Sequence, residues 1–331
     1  MKDYAPVYYD RFHCIADKCR HSCCKGWEVD IDKQSLERYM SLKSKTGEKI
    51  RENISGEDGA FFFRMTEEGN CPFLCENGLC EIIINEGEEC LCDICREHPR
   101  FYNFFTQRTE WGLGLTCEEA ARIIIKDKES FSLTLKCDDG VTEAFEIPED
   151  EESEEYVLFI RDESIKILEE NEGTTEDRIK RVLDFCGCEK CETENAALFE
   201  LFSSFERLEE SWSETLSLIK KTEKCGILND KRYARAFENL AKYFLYRHIP
   251  GAVYDERLPH RAYLMYSAVK VIALICQVKL NEIGSLNEND IADISRAFSS
   301  EIEYSDENTD KIFDYYEMYF GNVVDTRLKE E

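Results

Sequence analysis

The sequence predicts a mainly α-helical protein: a cysteine-rich N-terminal domain with short β pieces, residues 1–140, followed by an α-helical domain, residues 141–331. Three observations carry this. Twelve of the 17 cysteines fall at or before Cys137, on short spacings among glycines and aromatics. Beyond that point apolar residues recur every three or four positions, the period of a helix with one buried face. Between the two lies an acidic stretch from Asp138 to Glu155 with few apolar residues, which reads as an exposed linker.

In the first part, helical spacing is expected around Lys33–Leu42 and around Glu118–Asp127, where Ala120, Ile123 and Ile124 share a face. Extended pieces are expected at Glu81–Ile84 and at Phe131–Leu135, where Phe131, Leu133 and Leu135 alternate with Ser132 and Thr134. Gly26 and Gly78 suit tight, left-handed loop positions. In the second part, Phe202, Phe205, Leu208 and Trp212 form one stripe. Tyr233, Phe237, Leu240 and Phe244 form another, and Leu264, Ala268, Val271 and Ile275 a third. Asn287 to Asp290 precedes Ile291, Ile294 and Phe298 as a capped helix start. A last helix carries Ile312, Phe313, Tyr316 and Tyr319. These stripes are read as packing rather than as cofactor contacts.

A chain of 331 residues that is 43% hydrophobic can build ordinary cores, so it is not a small scaffold forced to depend on cross-links. Seventy acidic against 42 basic residues give a net charge of −28, which argues against binding a nucleic-acid backbone. The same charge suits a basic partner or a lysine-bearing substrate. Met1-Lys2-Asp3-Tyr4 opens no secretory signal, and the most apolar segment, near Ala262–Leu280, is interrupted by Lys270, Gln277 and Lys279. A cytoplasmic setting with no membrane partner is expected, and there thiols stay reduced or bind metal. An odd count of 17 cysteines also leaves one outside any complete disulfide set.

The cysteines fall in four groups. The first is Cys14, Cys19, Cys23 and Cys24, running into Gly26-Trp27. The second is Cys71, Cys75 and Cys80, the third Cys90, Cys92 and Cys95, and the fourth Cys117 at the start of a helix. Thiolates this dense suit a soft metal ion or an iron–sulfur cluster. Zinc is the alternative metal, although its paired C-x2-C knuckles occur only at Cys92–Cys95 and Cys188–Cys191. The C-x2-C-x2-C run of ferredoxins is absent, as is the C-x3-C-x2-C run of radical S-adenosylmethionine enzymes, since position 26 is Gly. Adjacent Cys23 and Cys24 are poorly placed to ligate one small tetrahedral ion together. His13, His21 and His98 read as hydrogen-bonding neighbours. Cys186, Cys188 and Cys191 read as incidental or a weak zinc site, and Cys225 and Cys276 as buried apolar residues. A dithiol switch at Cys23–Cys24 or Cys92–Cys95 is a further reading.

Taken in order, the motifs resemble the flagellin lysine-N-methylases (FliB-like proteins). They are Cys14-x4-Cys19-x3-Cys23-Cys24-x-Gly26-Trp27, then Cys71-Pro72-Phe73-Leu74 with Gly78-Leu79-Cys80. Cys95-Arg96 with Pro99-Arg100 follows, and then Leu115-Thr116-Cys117-Glu118-Glu119-Ala120-Ala121-Arg122. The resemblance takes in the aromatic segment Tyr233–His248 and so runs over most of the chain. It implies a 4Fe-4S iron-sulfur cluster and methyl transfer from S-adenosylmethionine to lysine side chains of flagellin or a related protein. It also implies Cys14, Cys19, Cys23, Cys24, Cys71, Cys80, Cys95 and Cys117 as candidate metal ligands, a set too large for one cubane. Cys75, Cys90, Cys92 and Cys137 fall outside the shared pattern. No glycine-rich Rossmann signature accompanies it, and Trp111-Gly112-Leu113-Gly114 reads as a turn. No catalytic base stands out among 16 tyrosines. The competing function is a non-enzymatic zinc- or cluster-stapled interaction module.

Overall fold

The computed structural model describes residues 2–57, 59–138, 151–188, 190–222 and 225–321. It is mainly helical, with short strands, as the sequence predicts. The chain forms two compact units: Met1–Phe12, Tyr102–Thr116 and Ala120–Glu331 make the first, and His13–Phe101 with Cys117–Glu119 the second. This division is discontinuous and differs from the single break expected near residue 140. The physical reason is strand pairing. Residues 2–6 pair with strands far along the chain, so the first segment joins the helical unit.

The cysteine-rich unit is built from short elements. Strand Val29–Asp30 pairs with Ala60–Phe63, which pairs in turn with Ile54–Glu57, a three-stranded antiparallel sheet. Helices Lys33–Ser41 (α1) and Lys45–Asn53 (α2) start on Asp32 and Ser44, whose side chains accept the backbone N–H of Ser35 and Gly47. Two shorter helices, Glu81–Glu86 (α3) and Asp93–Glu97 (α4), follow. The expected strand at Glu81–Ile84 is therefore helical. Only Ile82 of the isoleucine run is buried, while Ile83 and Ile84 face solvent. Contacts to α2 override strand propensity there: Lys49 pairs with Glu81, and the Asn85 amide donates to Thr46 Oγ1 at 3.0 Å. At the centre Phe63 packs edge to ring on Phe73, centroids 4.9 Å apart, and Tyr39 lies tilted against Phe63 at 5.8 Å.

A four-stranded sheet, all of it but Arg100 and Phe101 in the helical unit, has the order Arg100–Phe104, Arg108–Leu113, Lys2–Pro6, Leu133–Cys137. Lys2–Pro6 runs parallel to Arg108–Leu113 and antiparallel to Leu133–Cys137. Trp111–Leu113 thus lies on a strand rather than in a turn. Helix α5, Glu118–Ile125, begins just after Cys117 as expected. Of the acidic linker, residues 139–150 lie outside the described residues. Glu151–Glu155 instead open helix α6, Glu151–Glu169, where Glu154 is buried and accepts the Thr106 N–H at 2.8 Å and its hydroxyl at 2.7 Å.

Helices α7 to α14 complete the unit: Thr175–Phe185, Asn195–Ser203, Ser211–Ser217, Ala234–His248, Ala252–Asp255, Leu258–Ile283, Glu288–Phe298 and Asp306–Phe320. Leu258–Ile283 (α12) is long and apolar enough to cross a membrane, yet it packs against α7, α10, α13 and α14 and most of it is buried, as a core helix is. Asn287 caps α13 in a reciprocal box with Asp290. The stripe through Leu208 is broken: α8 ends at Ser203 and Leu208 is exposed in the connection to α9. That connection is held by Glu301, whose carboxylate accepts the Leu208 and Glu209 N–H groups at 2.8 and 2.9 Å. Tyr319 likewise faces solvent, whereas Ile312, Phe313 and Tyr316 are buried.

Candidate functional site

The eight cysteines that the resemblance implies as ligands all lie inside the cysteine-rich unit. Two groupings emerge. Cys24, Cys71, Cys80 and Cys95 join Cys90 and Cys92 in the core beside Tyr39, Phe63 and Phe73. Backbone bonds tie these segments together. The Cys71 N–H donates to Cys24 O at 2.8 Å, Lys25 bridges Asn70, and Leu74 bridges Cys80. Gly26 and Gly78 adopt φ of +82° and +80° in these loops, the left-handed geometry expected of them.

The thiols in this core are electrostatically linked. Burial pushes Cys71 up to about 12, its sulfur accepts the Phe73 N–H, and Cys24, Cys80 and Cys92 add to the rise. Burial also raises Cys80, opposed by N–H groups of Ile83 and Ile82 that point at its sulfur. The neighbouring Cys95 thiol lowers Cys92, and the Cys95 N–H and the Tyr39 side chain beside it act in the same direction. Cys95 rises correspondingly, with Cys24 and Cys71 nearby. Backbone N–H groups aimed at sulfur stabilise the thiolate form, the form that binds metals.

The second grouping is Cys14, Cys19, Cys23 and Cys117, with Cys14 and Cys23 exposed. The Cys23 thiol donates to Cys24, holding Cys24 down to about 6 and raising Cys23, which also feels Cys14 and Cys117. Cys24 thus joins the two groupings. The Cys19 thiol donates to His21 O at 3.3 Å and to Glu118 Oε2 at 3.7 Å. Glu118 is buried and also accepts the Arg20 N–H at 2.7 Å and its Nε at 2.9 Å.

Among the described residues, no three Cys, His, Asp or Glu side chains converge closely enough to hold a single metal ion. The metal-binding part of the sequence reading thus rests on donor chemistry, not on an assembled ion site. The sequence reading left Cys90 and Cys92 outside the candidate ligands, although the C-x2-C spacing of Cys92 to Cys95 was visible, and it gave Glu118 no role beyond its place in the fourth motif. Cys137 lies on the outer strand of the four-stranded sheet, in the other unit. Cys186, Cys188 and Cys191 are buried thiols with partners: Cys188 donates to Pro259 O at 2.8 Å, Cys191 to Cys188 O at 3.0 Å, and Cys186 meets Ser164 Oγ at 3.5 Å. Cys276 is buried as expected, and Cys225 is only half-buried.

Fold and thiols define a class: a mainly helical protein carrying a unit rich in reduced, interacting cysteines. The particular kinship comes from comparison with known proteins. The chain is 28% identical over 137 residues to the lysine-N-methylase of Salmonella typhimurium strain LT2, covering 40% of this chain and 34% of that protein. The lysine-N-methylase of Salmonella choleraesuis matches at 26% over 137 residues with the same coverage. The flagellar biosynthetic protein FliU of Salmonella muenchen is 26% identical over 139 residues, 39% of this chain and 79% of that protein. Over that stretch the chain is similar to proteins named lysine-N-methylase and FliU. The similarity covers about 40% of it and spans about a third of the two methylases, less than the motif resemblance covered. No family model and no solved structure matches.

Proposed function

We propose that this chain is a protein lysine N-methylase that transfers methyl from S-adenosylmethionine to lysine side chains of flagellin or a related protein in the cytoplasm. The observation that carries the reading is the kinship with proteins named lysine-N-methylase. The −28 net charge supports it, since an acidic surface concentrates lysine-rich substrates and repels nucleic acid.

The thiols fit an iron–sulfur cluster by their chemistry: soft, reduced donors from separated segments, with N–H groups directed at Cys71, Cys80 and Cys92. Cys24, Cys71, Cys80 and Cys95 would hold it, with Cys92 able to exchange for Cys95. Bound there, a four-iron–four-sulfur cluster supplies one-electron chemistry. The hydrophobic core beside these cysteines buries Cys71 and partly covers Cys24, Cys80 and Cys95, and the N–H donors hold negative charge on sulfur. Zinc is the weaker choice, because one zinc ion needs four donors about a single point.

The test is anaerobic purification, iron and sulfide analysis, and transfer of labelled methyl from S-adenosylmethionine to flagellin. Iron and sulfide near four each per chain, a visible absorbance that bleaches on reduction, and label on flagellin lysines are expected. Full cluster occupancy without transfer would leave only a metal-stapled interaction module.

A further inference from the structure

Outside the cysteine-rich unit, the helical unit carries a cavity of about 330 Å³ lined by Tyr102, Asn103, Phe104, Phe105, Pro250, Gly251 and Tyr254. That volume lies within the range of about 300–1,000 Å³ usual for small-ligand sites. Tyr102 and Phe104, two apart on one strand, project to the same side with rings stacked at 6.3 Å and 20°. The Tyr254 hydroxyl donates to Phe104 O at 2.9 Å, which fixes the third ring. Gly251 leaves its part of the wall bare, and Arg261 backs it so closely that a Cβ would stand 2.5 Å from the guanidinium.

Among the described residues that line the cavity no side chain is acidic, and the nearby Arg261 and Arg108 have carboxylate partners. Arg261 pairs with Asp255 at 2.6 Å and Arg108 with Glu110 at 2.8 Å. The neighbourhood already uses aromatic faces for positive charge, since the Arg108 guanidinium lies 5.7 Å from the Phe105 ring centre. Aromatic walls without a carboxylate discriminate between cations. A bare ammonium would lose its hydration with no counter-charge, whereas a methyl-bearing onium is weakly hydrated and favours ring faces.

We infer that this cavity binds a methyl-bearing onium group on an apolar stem. Its sources are a methylated lysine side chain or the sulfonium of S-adenosylmethionine, and the inference rests on the methylase reading. The test titrates the whole chain with a trimethyllysine peptide, with S-adenosylmethionine, and with a peptide whose trimethylammonium is replaced by the neutral tert-butyl isostere. At least one cation should bind about tenfold more tightly than the neutral peptide, and Tyr254→Ala should weaken it about tenfold while Tyr254→Phe retains it. The cation that loses affinity in Tyr254→Ala identifies the source. Tyr254 is 49% exposed, and a matching thermal melt of the variant confirms that the fold survives. Tyr102→Leu gives a second, independent removal of a ring. Equal binding of the neutral peptide, or unchanged titrations in both variants, overturns the inference. Binding is read without turnover, so cation-selective titrations alongside absent methyl transfer would sink the methylase reading alone.

Discussion

The two units solve the problem of cohesion differently. Among the described residues, no helix of the cysteine-rich unit exceeds nine residues. Isolated helices shorter than about 12 residues are marginal, so their order must come from what surrounds them. There, loops and side-chain bridges do that work. Arg51 donates to the carbonyls of Tyr39 and Leu42 at 3.0 and 2.6 Å, and thiols occupy places that aliphatic side chains would otherwise fill. The helical unit instead wraps a 26-residue helix and buries charge in paired form. Glu110 and Arg161 are fully buried partners, and Glu303 gathers Tyr243, Arg247, His248 and Ser299. One unit is held locally by ties and sulfur, the other globally by packing.

The sharpest way to break this comparison is to remove a buried charge. Glu110→Ala leaves the Arg161 guanidinium in the interior beside Tyr246, with only the half-exposed Asp162 as counter-charge. Stripping one partner from a buried pair costs about 3–5 kcal/mol. Denaturation followed through Trp111 and Trp212 in a Trp27→Phe background reports on the helical unit and should register the whole loss. If the variant unfolds at the wild-type denaturant concentration, buried pairing is not what distinguishes this unit.

Acid should separate the units from the other side. Burial, aided by Arg100, lowers His98 from its usual 6.5 to about 4. A histidine lowered in the fold contributes stability that is complete above about pH 6.5 and lost as pH falls toward 4, because the unfolded chain takes the proton first. The loss is about 3 kcal/mol over that window. His248 in the helical unit is also lowered by burial, but Glu303 stands 2.8 Å away to receive its charge. Burial raises Glu303, yet Arg247 and the His248 bond outweigh it and hold the carboxyl at about 2. Its contribution is present above the usual carboxylate value and fades only as pH falls through about 2. Trp27, whose ring lies 5.7 Å from His98, should therefore report unfolding in acid before Trp212 does. Simultaneous transitions would remove the distinction.

What the sequence revealed follows the same divide. The helical unit was legible because burial on one face of a long helix leaves a period in the sequence, as at Tyr233, Phe237, Leu240 and Phe244, all buried. Failures came where a nonlocal partner decided the outcome. Glu301 satisfies the connection that carries Leu208, α2 draws Glu81–Glu86 into a helix, and Lys2–Pro6 pairs with strands more than 100 residues away. In the candidate site the ordered motifs named Cys24, Cys71, Cys80 and Cys95, which do share a core. Their spacing carried no sign that Cys14, Cys19, Cys23 and Cys117 form a separate surface set, because that grouping is set by loop closure. Cys92 joins the inner set through Tyr39 and Cys95, a contact that no spacing rule beyond C-x2-C encodes.

The finest test compares one chemical change in both units. Asn287 caps α13, accepting the N–H groups of Asn289 and Asp290 at 2.8 and 3.3 Å, both within its own helix. Asp32 caps α1 through the Ser35 N–H at 2.8 Å, and its other oxygen accepts the Asp93 N–H at 2.9 Å, so it ties α1 to the start of α4. Asn287→Ala should cost about 1 kcal/mol, the ordinary value of a lost cap. Asp32→Ala loses a cap and a charge-assisted bond between segments, so about 2 kcal/mol is expected. It should also raise the alkylation rate of Cys92 and Cys95, which flank Asp93, while Asn287→Ala leaves that rate unchanged. Denaturant midpoints and timed thiol labelling measure both. Equal costs with unchanged labelling would mean that the cysteine-rich unit does not depend on its ties, and that its thiols are held by the core of Tyr39, Phe63 and Phe73 alone.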